Sequence, residues 1–379
     1  MDALTNACTN FSLDLFRKLC ESNSTGNIFY SPISITTALA MIYMGTKGKT
    51  AEQVSKVLHV DNIKDVHSNF QTLNAQINKK AGSSYTLNLA NRLFGEKTFD
   101  FSSEFLSSLQ RLYQAKLGTV DFLTAYEAAR KEINAWVSEQ TMGKIPEVLS
   151  EGSVDPTTIL VLVNAIYFKG DWAEKFNVQQ TADAPFRLSK NEQKTVKMMY
   201  QMKKFPFNYV PEINCRILEL PYVDHELSMI IILPDSIEDD TTGLQKLERE
   251  LTVEKFKEWT QPENMHPIDV HVHLPKFKLE DSYKLKPVLS ALGMVDIFNA
   301  GCADLSGMSG SKNLFLSEVV HKTFVEVNEE GTEAAAATAG IAMMCMLREE
   351  DFNADHPFLF FIRHNITGNI LFTGRYSSP

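Results

Sequence analysis

Apolar residues recur along this chain with two different periods, and the order of those periods limits the fold more than any other feature. Helical spacing covers residues 4–19, 35–44, 125–140 and 244–259. Strand-like patterns become frequent from residue 157 onward, yet they interleave with the helices without a strand–helix–strand repeat. This succession predicts an α+β fold with largely antiparallel sheets.

The clearest strand pattern lies in residues 266–279, where Val270, Val272 and Leu274 alternate with polar residues and therefore share one face. The predicted strands cover residues 85–94, 157–168, 227–233, 266–279, 324–327, 357–363 and 370–374.

Local signals also predict where one early helix ends and the next begins. Gly45 and Gly48 are expected to end the apolar helix 35–44 as C-cap and turn residues. Thr50, followed three positions later by Gln53, resembles a capping box that opens the next helix.

Composition excludes some classes of partner. The chain has 379 residues and a formal net charge of −10, which disfavours a general nucleic-acid or anionic-membrane binder. Lys79 and Lys80 form one small basic cluster, which is best interpreted as a solvated helix end. Length alone would predict two or three domains.

The N-terminus and the cysteines predict a cytoplasmic protein. The chain does not open with the basic region, continuous apolar region and small-residue cleavage site that are typical of a signal peptide. No apolar run is long enough to span a bilayer. The few scattered cysteines favour free thiols in a reducing compartment, and the N-x-S/T sequons at Asn10, Asn23 and Asn365 are expected to be unused. The cysteines are Cys8, Cys20, Cys215, Cys302 and Cys345.

Enzyme signatures are missing from the sequence, so we expect neither catalysis nor a cofactor. The string at residues 307–310 lacks the spacing of a nucleophile elbow, and no phosphate-binding loop or dinucleotide fingerprint occurs. His271 and His273 have a spacing that metal sites use, but a third ligand is not identifiable, and two polar residues on a solvent face are the better interpretation. Cys345 has no imidazole neighbour in sequence that would activate a thiol.

The most unusual segment runs from residue 329 to 348 and is rich in alanine. An exposed helix is the plain interpretation, because alanine is the best helix former. Gly331 and Gly340 weaken that interpretation, whereas a period of two separates a small, uncharged face from a second face that carries Glu333. Such a strand could enter a sheet without burying a charge. The uncharged face consists of Thr332, Ala334, Ala336, Thr338, Gly340 and Ala342.

Several strings resemble the serpin family along essentially the whole chain. The hinge string EEGTEAAAAT at 329–338, preceded by FVEVN, is similar to that of inhibitory serpins. Further similar strings are NIFYSPIS at 27–34, NAIYFKGDW at 164–172, LELPY at 218–222 and DHPFLFFIR at 355–363. The start MDALTNA, the end RYSSP and the missing signal peptide resemble the ovalbumin-type branch, clade B.

The resemblance implies one domain over residues 1–379, with three β-sheets, eight or nine α-helices and an exposed reactive-centre loop at about 329–350. It implies a monomeric serine-protease inhibitor that is attacked as a substrate, forms an acyl-enzyme and traps it by inserting the loop into the largest sheet. The hinge residues would be Glu329, Glu330, Gly331, Thr332, Glu333, Ala334, Ala335, Ala336, Ala337 and Thr338.

The reactive bond follows from the family's register. Counting seventeen residues with Glu329 as the first places it at Cys345–Met346. Cleavage after Met344 is an alternative for a chymotrypsin-like enzyme, and a trypsin-like cut after Arg348 would lie too late for trapping. The implied partners are serine proteases of the neutrophil elastase, cathepsin G, proteinase-3 and chymotrypsin type. The branch also implies that release from the cytoplasm would need no signal peptide.

Two further sets of residues carry over from the family. Ser31, Ser34, Asn164 and His321 correspond to a polar cluster, the shutter, beneath the sheet that opens. Trp172 and Glu329 correspond to the breach, where the loop first enters. Ordinary core packing would equally account for Trp172, and a non-inhibitory serpin with a storage, carrier or chaperone role is the alternative function. The small residues of the hinge favour inhibition.

Overall fold

The structure is a computed structural model that describes residues 2–78, 85–310, 312–330 and 349–379. The described residues form ten α-helices: α1 (Asp2–Ser22), α2 (Pro32–Tyr43), α3 (Gly48–Val57), α4 (Val66–Ile77), α5 (Ser103–Tyr113), α6 (Phe122–Gln140), α7 (Gln245–Glu250), α8 (Val253–Thr260), α9 (Lys286–Leu292) and α10 (Ser306–Ser309). None of the described helices is both long and apolar enough to cross a bilayer.

The described part of the chain also contains fourteen strands, interspersed with these helices. They are β1 (Ile28–Tyr30), β2 (Tyr85–Glu96), β3 (Leu117–Val120), β4 (Leu160–Gly170), β5 (Ala182–Arg187), β6 (Gln193–Val210), β7 (Cys215–Pro221), β8 (Leu227–Pro234), β9 (His266–Pro275), β10 (Phe277–Lys284), β11 (Glu318–Val327), β12 (Glu349–Asn353), β13 (Phe358–His364) and β14 (Ile370–Tyr376). The predicted α+β class is confirmed, and each predicted strand overlaps an observed one.

A five-stranded sheet carries the part of the fold that matters for function. Its strand order is β10-β11-β4-β2-β3. The two central neighbours β11 and β4 run parallel over eight residue pairs, from Glu318 opposite Val161 to Val325 opposite Phe168. Since β10 and β2 flank them antiparallel, the parallel pair lies in the middle of the sheet.

The other nine strands form one sheet: eight follow the order β1-β14-β13-β8-β7-β6-β9-β12, and β5 pairs with β6 beside this path. The long strand β6 joins its two halves. It pairs with β9 over ten residues but with β7 only from Phe207 to Val210. The described strands therefore form two hydrogen-bonded sheets where the serpin resemblance implies three, because β6 joins two groups of strands into one sheet. The described residues also form ten α-helices where the resemblance implies eight or nine.

The helix α2 forms the floor beneath the five-stranded sheet. Its sequence is apolar on nearly all faces, and every residue from Pro32 to Ile42 is buried. Pro32 occupies the first turn, where its missing N–H costs nothing, and the Ser31 hydroxyl caps the helix by accepting from the Ser34 amide. This packing holds two serines at the underside of the sheet.

The helix α6 covers the opposite face of the same sheet. Its apolar residues Ile133 and Val137 belong to a second, smaller core that also contains Val161 and Val163 of β4 and Val320 of β11. The parallel pair is consequently enclosed from both sides.

The predicted ends of the early helices were partly wrong. Met44, not Gly45, is the C-cap of α2, and Gly48 begins α3 with a φ of 55°. A side chain at position 45 would collide with Met308, whose Cγ lies 2.2 Å from an ideal Cβ. Close packing therefore requires this glycine.

The predicted capping box is also wrong, because Lys47 is the N-cap of α3. The Thr50 hydroxyl instead accepts from the Asp304 amide at 3.0 Å. The Gln53 carbonyl accepts from the Val295 and Asp296 amides at 3.1 and 2.8 Å. Both side chains serve a loop that is distant in sequence, which local spacing could not indicate.

Candidate functional site

The centre of the five-stranded sheet joins four sequence-predicted residues. Asn164 of β4 and His321 of β11 are register partners across the parallel pair. Their side chains meet directly, with the His321 Nδ1 donating to the Asn164 Oδ1. Ser31 and Ser34 approach from the start of α2, and all four residues are buried. We call these four residues the shutter cluster.

Hydrogen bonds satisfy the shutter cluster almost completely. The Asn164 amide donates to the Ser34 hydroxyl. The Ser31 amide donates to the His321 Nε2 at 3.0 Å, and the Ser31 hydroxyl donates to the Leu371 carbonyl at 2.7 Å. Because unpaired polar groups are costly in a protein interior, these bonds hold the strands together as a unit.

The bonding pattern determines the charge of His321. Its Nε2 accepts from a backbone amide, so the proton of the neutral ring must lie on Nδ1. Burial lowers the pKa of His321 to about 3. The shutter cluster therefore contains no charged group at neutral pH.

Sequence reasoning missed Asn91 of β2, which belongs to the same network. Its Oδ1 accepts from the Asn164 amide, and its own amide donates to the Ser34 carbonyl at 3.5 Å. The signal available was a polar residue on the strand face that otherwise carries Leu87, Leu89 and Leu93. The carboxylate of Asp281 was missed as well; it accepts from the Phe29 amide at 3.1 Å beside the Tyr283 hydroxyl.

A second group lies where β4 and β11 end, and we call Trp172, Tyr222, Asn328 and Glu329 the breach cluster. The Trp172 indole stacks on Tyr222, with ring centroids 4.6 Å apart and planes 10° from parallel. Its N–H donates to the Asn328 carbonyl at 2.9 Å. This bond ties the residue after Val327, the last of β11, to the neighbouring loop.

Glu329 is held by a lysine and a hydroxyl. Its carboxylate accepts from Lys276 at 2.9 Å and from Thr181 at 2.8 Å, although the side chain is only 5% exposed. Burial pushes the pKa of Glu329 upward, but the hydrogen bonds from Lys276 and Thr181 outweigh it and leave the pKa below its ordinary value. The first hinge residue is therefore a buried, paired anion.

Glu330 behaves differently from its neighbour. Its side chain is 64% exposed and pairs with Lys169 at 2.7 Å. The three partners Lys276, Thr181 and Lys169 were not predicted, because they come from distant parts of the sequence.

Residues 331–348 lie outside the described residues, and with them the predicted hinge positions Gly331, Thr332, Glu333, Ala334, Ala335, Ala336, Ala337 and Thr338 and the predicted reactive-bond residues Met344, Cys345 and Met346. The described chain resumes at β12, which pairs parallel with β9 at the edge of the nine-stranded sheet. The segment thus joins the breach end of one sheet to the edge of another.

The alternative sites have structural explanations. The Tyr200 hydroxyl lies 2.9 Å from the His271 Nδ1, and the His271 Nε2 lies 3.4 Å from Glu349. Within the described ranges, no group of three or more histidine, cysteine or acidic side chains could hold a metal ion. Burial raises the pKa of Cys8, Cys20 and Cys215 to about 12, which suppresses thiolate chemistry.

Comparison with known proteins agrees with this architecture. The family model described as Serpin (serine protease inhibitor) matches residues 6–379. A curated relative named leukocyte elastase inhibitor, from Xenopus laevis, is 74% identical over 379 residues and is covered completely, as is this chain.

Solved structures are similar over the whole chain as well. A crystal structure of maspin superposes with a TM-score of 0.94 at 39% identity, covering 100% of this chain and 99% of that one. Uncleaved ovalbumin superposes with a TM-score of 0.92 at 39% identity and full coverage of both chains. The chain belongs to the serpin family, in its ovalbumin-type branch, and has the serpin fold.

Proposed function

We propose that this protein, acting as one serpin domain over residues 1–379, inhibits serine proteases by trapping them irreversibly. The observation that carries the proposal is the parallel pairing of β4 with β11 in the middle of the sheet, over eight residue pairs. The predicted hinge leaves the chain directly after β11, so it starts at the end of that pair.

A strand inserted between β4 and β11 would gain better pairing than the sheet now has. To re-enter the sheet, the segment after β11 must reverse its direction and run antiparallel to β11. Because β4 is parallel to β11, the inserted strand would also be antiparallel to β4. One parallel ladder would be replaced by two antiparallel ladders, and antiparallel pairing is the more stable per residue.

The shutter cluster supports the same mechanism. Insertion must separate Asn164 from His321, which face each other across the pair. These groups are neutral, so they can exchange partners with an incoming backbone without exposing a buried charge. A buried ion pair in this position would oppose insertion far more strongly.

The chemical step would use the protease's own serine. Its Oγ attacks the carbonyl carbon of Cys345, the Cys345–Met346 peptide bond breaks, and the new amino terminus at Met346 takes the proton. The resulting ester links protease to inhibitor, and insertion of residues 329–345 would distort the protease before water reaches that ester. Cleavage after Met344 follows the same chemistry.

Residue chemistry and family suggest the targets. A cysteine or methionine before the bond is small to medium and apolar, which suits elastase-like and chymotrypsin-like pockets. We place neutrophil elastase and proteinase-3 with the first class and cathepsin G and chymotrypsin with the second. The name of the Xenopus laevis relative is consistent with an elastase target. We expect the inhibitor to act as a cytoplasmic monomer.

The test is a denaturing gel of the protein mixed with elastase or chymotrypsin. A covalent complex is expected with at least one enzyme, and the mass of the released peptide distinguishes Cys345 from Met344. Thr332→Arg is expected to turn the inhibitor into a substrate, because the guanidinium would be buried without a partner. Glu333→Arg, on the other face of the predicted strand, is the matched control and should still trap. Complete cleavage of the parent protein without a complex would refute inhibition and favour the non-inhibitory alternative.

A further inference from the structure

His271 and His273 lie on one face of β9, the strand that carries the edge strand β12 of the nine-stranded sheet. In the described chain β12 pairs with no other strand, and its pairing with β9 covers only the five residues Glu349–Asn353. Side-chain contacts between neighbouring strands add to the stability of such a short ladder. The two histidines are therefore placed to hold β12 in the sheet.

Side-chain hydrogen bonds cross three adjacent strands at this edge. The Tyr200 hydroxyl of β6 lies 2.9 Å from the His271 Nδ1, and the His271 Nε2 lies 3.4 Å from the Glu349 carboxylate of β12. One tautomer of the neutral ring satisfies both contacts, because Tyr200 can donate to Nδ1 while the N–H at Nε2 donates to the carboxylate. The second bond is long, but its acceptor is charged. We call Tyr200, His271 and Glu349 the edge relay.

His273 supports the edge relay from its side. It is the register partner of Tyr200 across β6 and β9, and the centroids of the two rings lie 4.9 Å apart. Burial lowers the pKa of His273, so this ring is neutral at neutral pH. Its backbone carbonyl accepts from the Ala354 amide at 2.9 Å, directly after the end of β12. His273 therefore packs against the first residue of the relay and also extends the attachment of β12.

The place of Glu349 in the sequence connects the edge relay to the proposed inhibition. Glu349 follows Met346, the residue after the predicted reactive bond, by three positions. When that bond breaks, Cys345 would leave with the inserting strand as the protease ester, whereas the new amine of Met346 would remain on the side of β12. An amine that stayed near the ester could attack its carbonyl carbon, re-form the peptide bond and return a proton to the released protease serine. Separation of the two ends therefore requires that β12 stays in place.

We propose that Tyr200 and His271 are positioning residues that hold the start of β12, and with it the amine side of the cleaved bond, at the edge of the sheet. They act through Glu349 and not by contact with the reactive bond. A fixed end also restricts the orientations of the uncleaved bond, which favours attack by the protease serine. This role rests on the proposed function, whereas the edge relay itself does not.

The edge relay is tested without a protease, by hydrogen exchange at the backbone amides of β12 in the full chain. Tyr200→Phe removes only the hydroxyl and should speed this exchange roughly threefold, the scale of one half-exposed hydrogen bond. His271→Leu is the second variant and should have the same effect. Tyr209→Phe is the matched control, because Tyr209 lies on the same strand but its hydroxyl donates to Asp235 at 2.9 Å, on the side of β7.

A double-mutant cycle distinguishes a relay from a general loosening of β6. In a Glu349→Ala background, Tyr200→Phe should have no further effect on the exchange of β12, because its hydrogen bond no longer leads to that strand. The edge relay is refuted if Tyr200→Phe keeps its full effect in this background, or if Tyr200→Phe and Tyr209→Phe exchange equally.

The positioning role is tested with elastase and chymotrypsin. Tyr200→Phe should slow formation of the covalent complex roughly threefold relative to Tyr209→Phe. Equal rates of complex formation, together with faster exchange of β12 in Tyr200→Phe, would overturn the positioning role and leave the relay as a structural contact. If the parent protein forms no complex with either enzyme, the proposed function fails and the positioning role fails with it, while the exchange measurements still decide whether the relay exists.

Discussion

The shutter cluster and the breach cluster lie along the same pair of strands but stabilise it by different physics. The shutter cluster is buried and neutral, with Asn164 1% exposed and His321 fully buried. The breach cluster contains the anion Glu329, whose partner Lys276 is 44% exposed, and next to it lies the solvent-exposed pair Glu330–Lys169. The middle of the sheet therefore depends on hydrogen bonds and its end depends on charge.

This difference indicates how the sheet could open in sequence. The pair Glu330–Lys169 can break with water taking the place of each partner, so its loss costs little. The buried groups of the shutter cluster have no such replacement until another strand arrives. We expect the Glu330–Lys169 pair to break first and the shutter cluster to set the larger barrier.

Among substitutions compared at neutral pH, the largest effect is expected from removing the centre of the shutter cluster. Asn164→Leu would leave His321, Ser34 and Asn91 without their shared partner and should destabilise the protein by about 3 kcal/mol. The measurement is the first unfolding transition in urea. Asn191→Leu, in an exposed turn, is the control. Equal midpoints for the two variants would contradict the assigned role of the network.

A second effect of the shutter cluster is expected when the pH is lowered. The unfolded His321 titrates near 6.5 and the folded one near 3, so between these values the unfolded state binds more protons. The contribution of His321 is complete above pH 6.5 and is lost as the pH falls toward 3, with a slope of at most about 1.4 kcal/mol per pH unit.

Unfolding in urea across this range should therefore show a steeper loss of stability for the parent than for His321→Gln. Glutamine can still donate to Asn164 and accept from Ser31, so it serves as the neutral control. Other acid-sensitive groups are common to both proteins and cancel in the difference. If the stability of both proteins falls with the same slope, His321 binds a proton equally well in the folded and the unfolded protein, which would contradict its lowered pKa.

A smaller effect is expected at the first hinge residue. Glu329→Gln removes a charge-assisted bond to Lys276 and should cost about 1.5 kcal/mol. The matched variant Glu330→Gln removes an exposed ion pair and should change stability by less than about 0.5 kcal/mol. Urea unfolding at low and high salt distinguishes them, and equal effects would remove the distinction between buried and exposed hinge residues.

The smallest effect is expected from the indole of the breach cluster. Trp172→Phe keeps an aromatic ring against Tyr222 but removes the hydrogen bond to the Asn328 carbonyl, which should cost about 1 kcal/mol. Trp136→Phe is the control, because the indole N–H of Trp136 makes no hydrogen bond to the described protein. If both variants unfold at the same urea concentration, the bond to Asn328 does not contribute.

Much of the fold could be predicted locally. Alternation placed Val270, Val272 and Leu274 on one face of β9, and all three are fully buried. The apolar run at 35–44 predicted the buried helix α2. The failures were side chains that bond across the chain, such as Thr50 and Gln53, whose partners lie more than 240 residues away.

By itself, the sequence determined the α+β class, the positions of most elements and, through its family strings, the serpin membership, because periodicity and motifs are written in neighbouring residues. Only the tertiary structure decided that β4 lies parallel to β11, that Asn91 completes the shutter cluster and that Lys276 and Thr181 hold Glu329. These contacts join residues far apart in the chain. Their formation depends on how whole sheets and helices pack, and no local pattern records that.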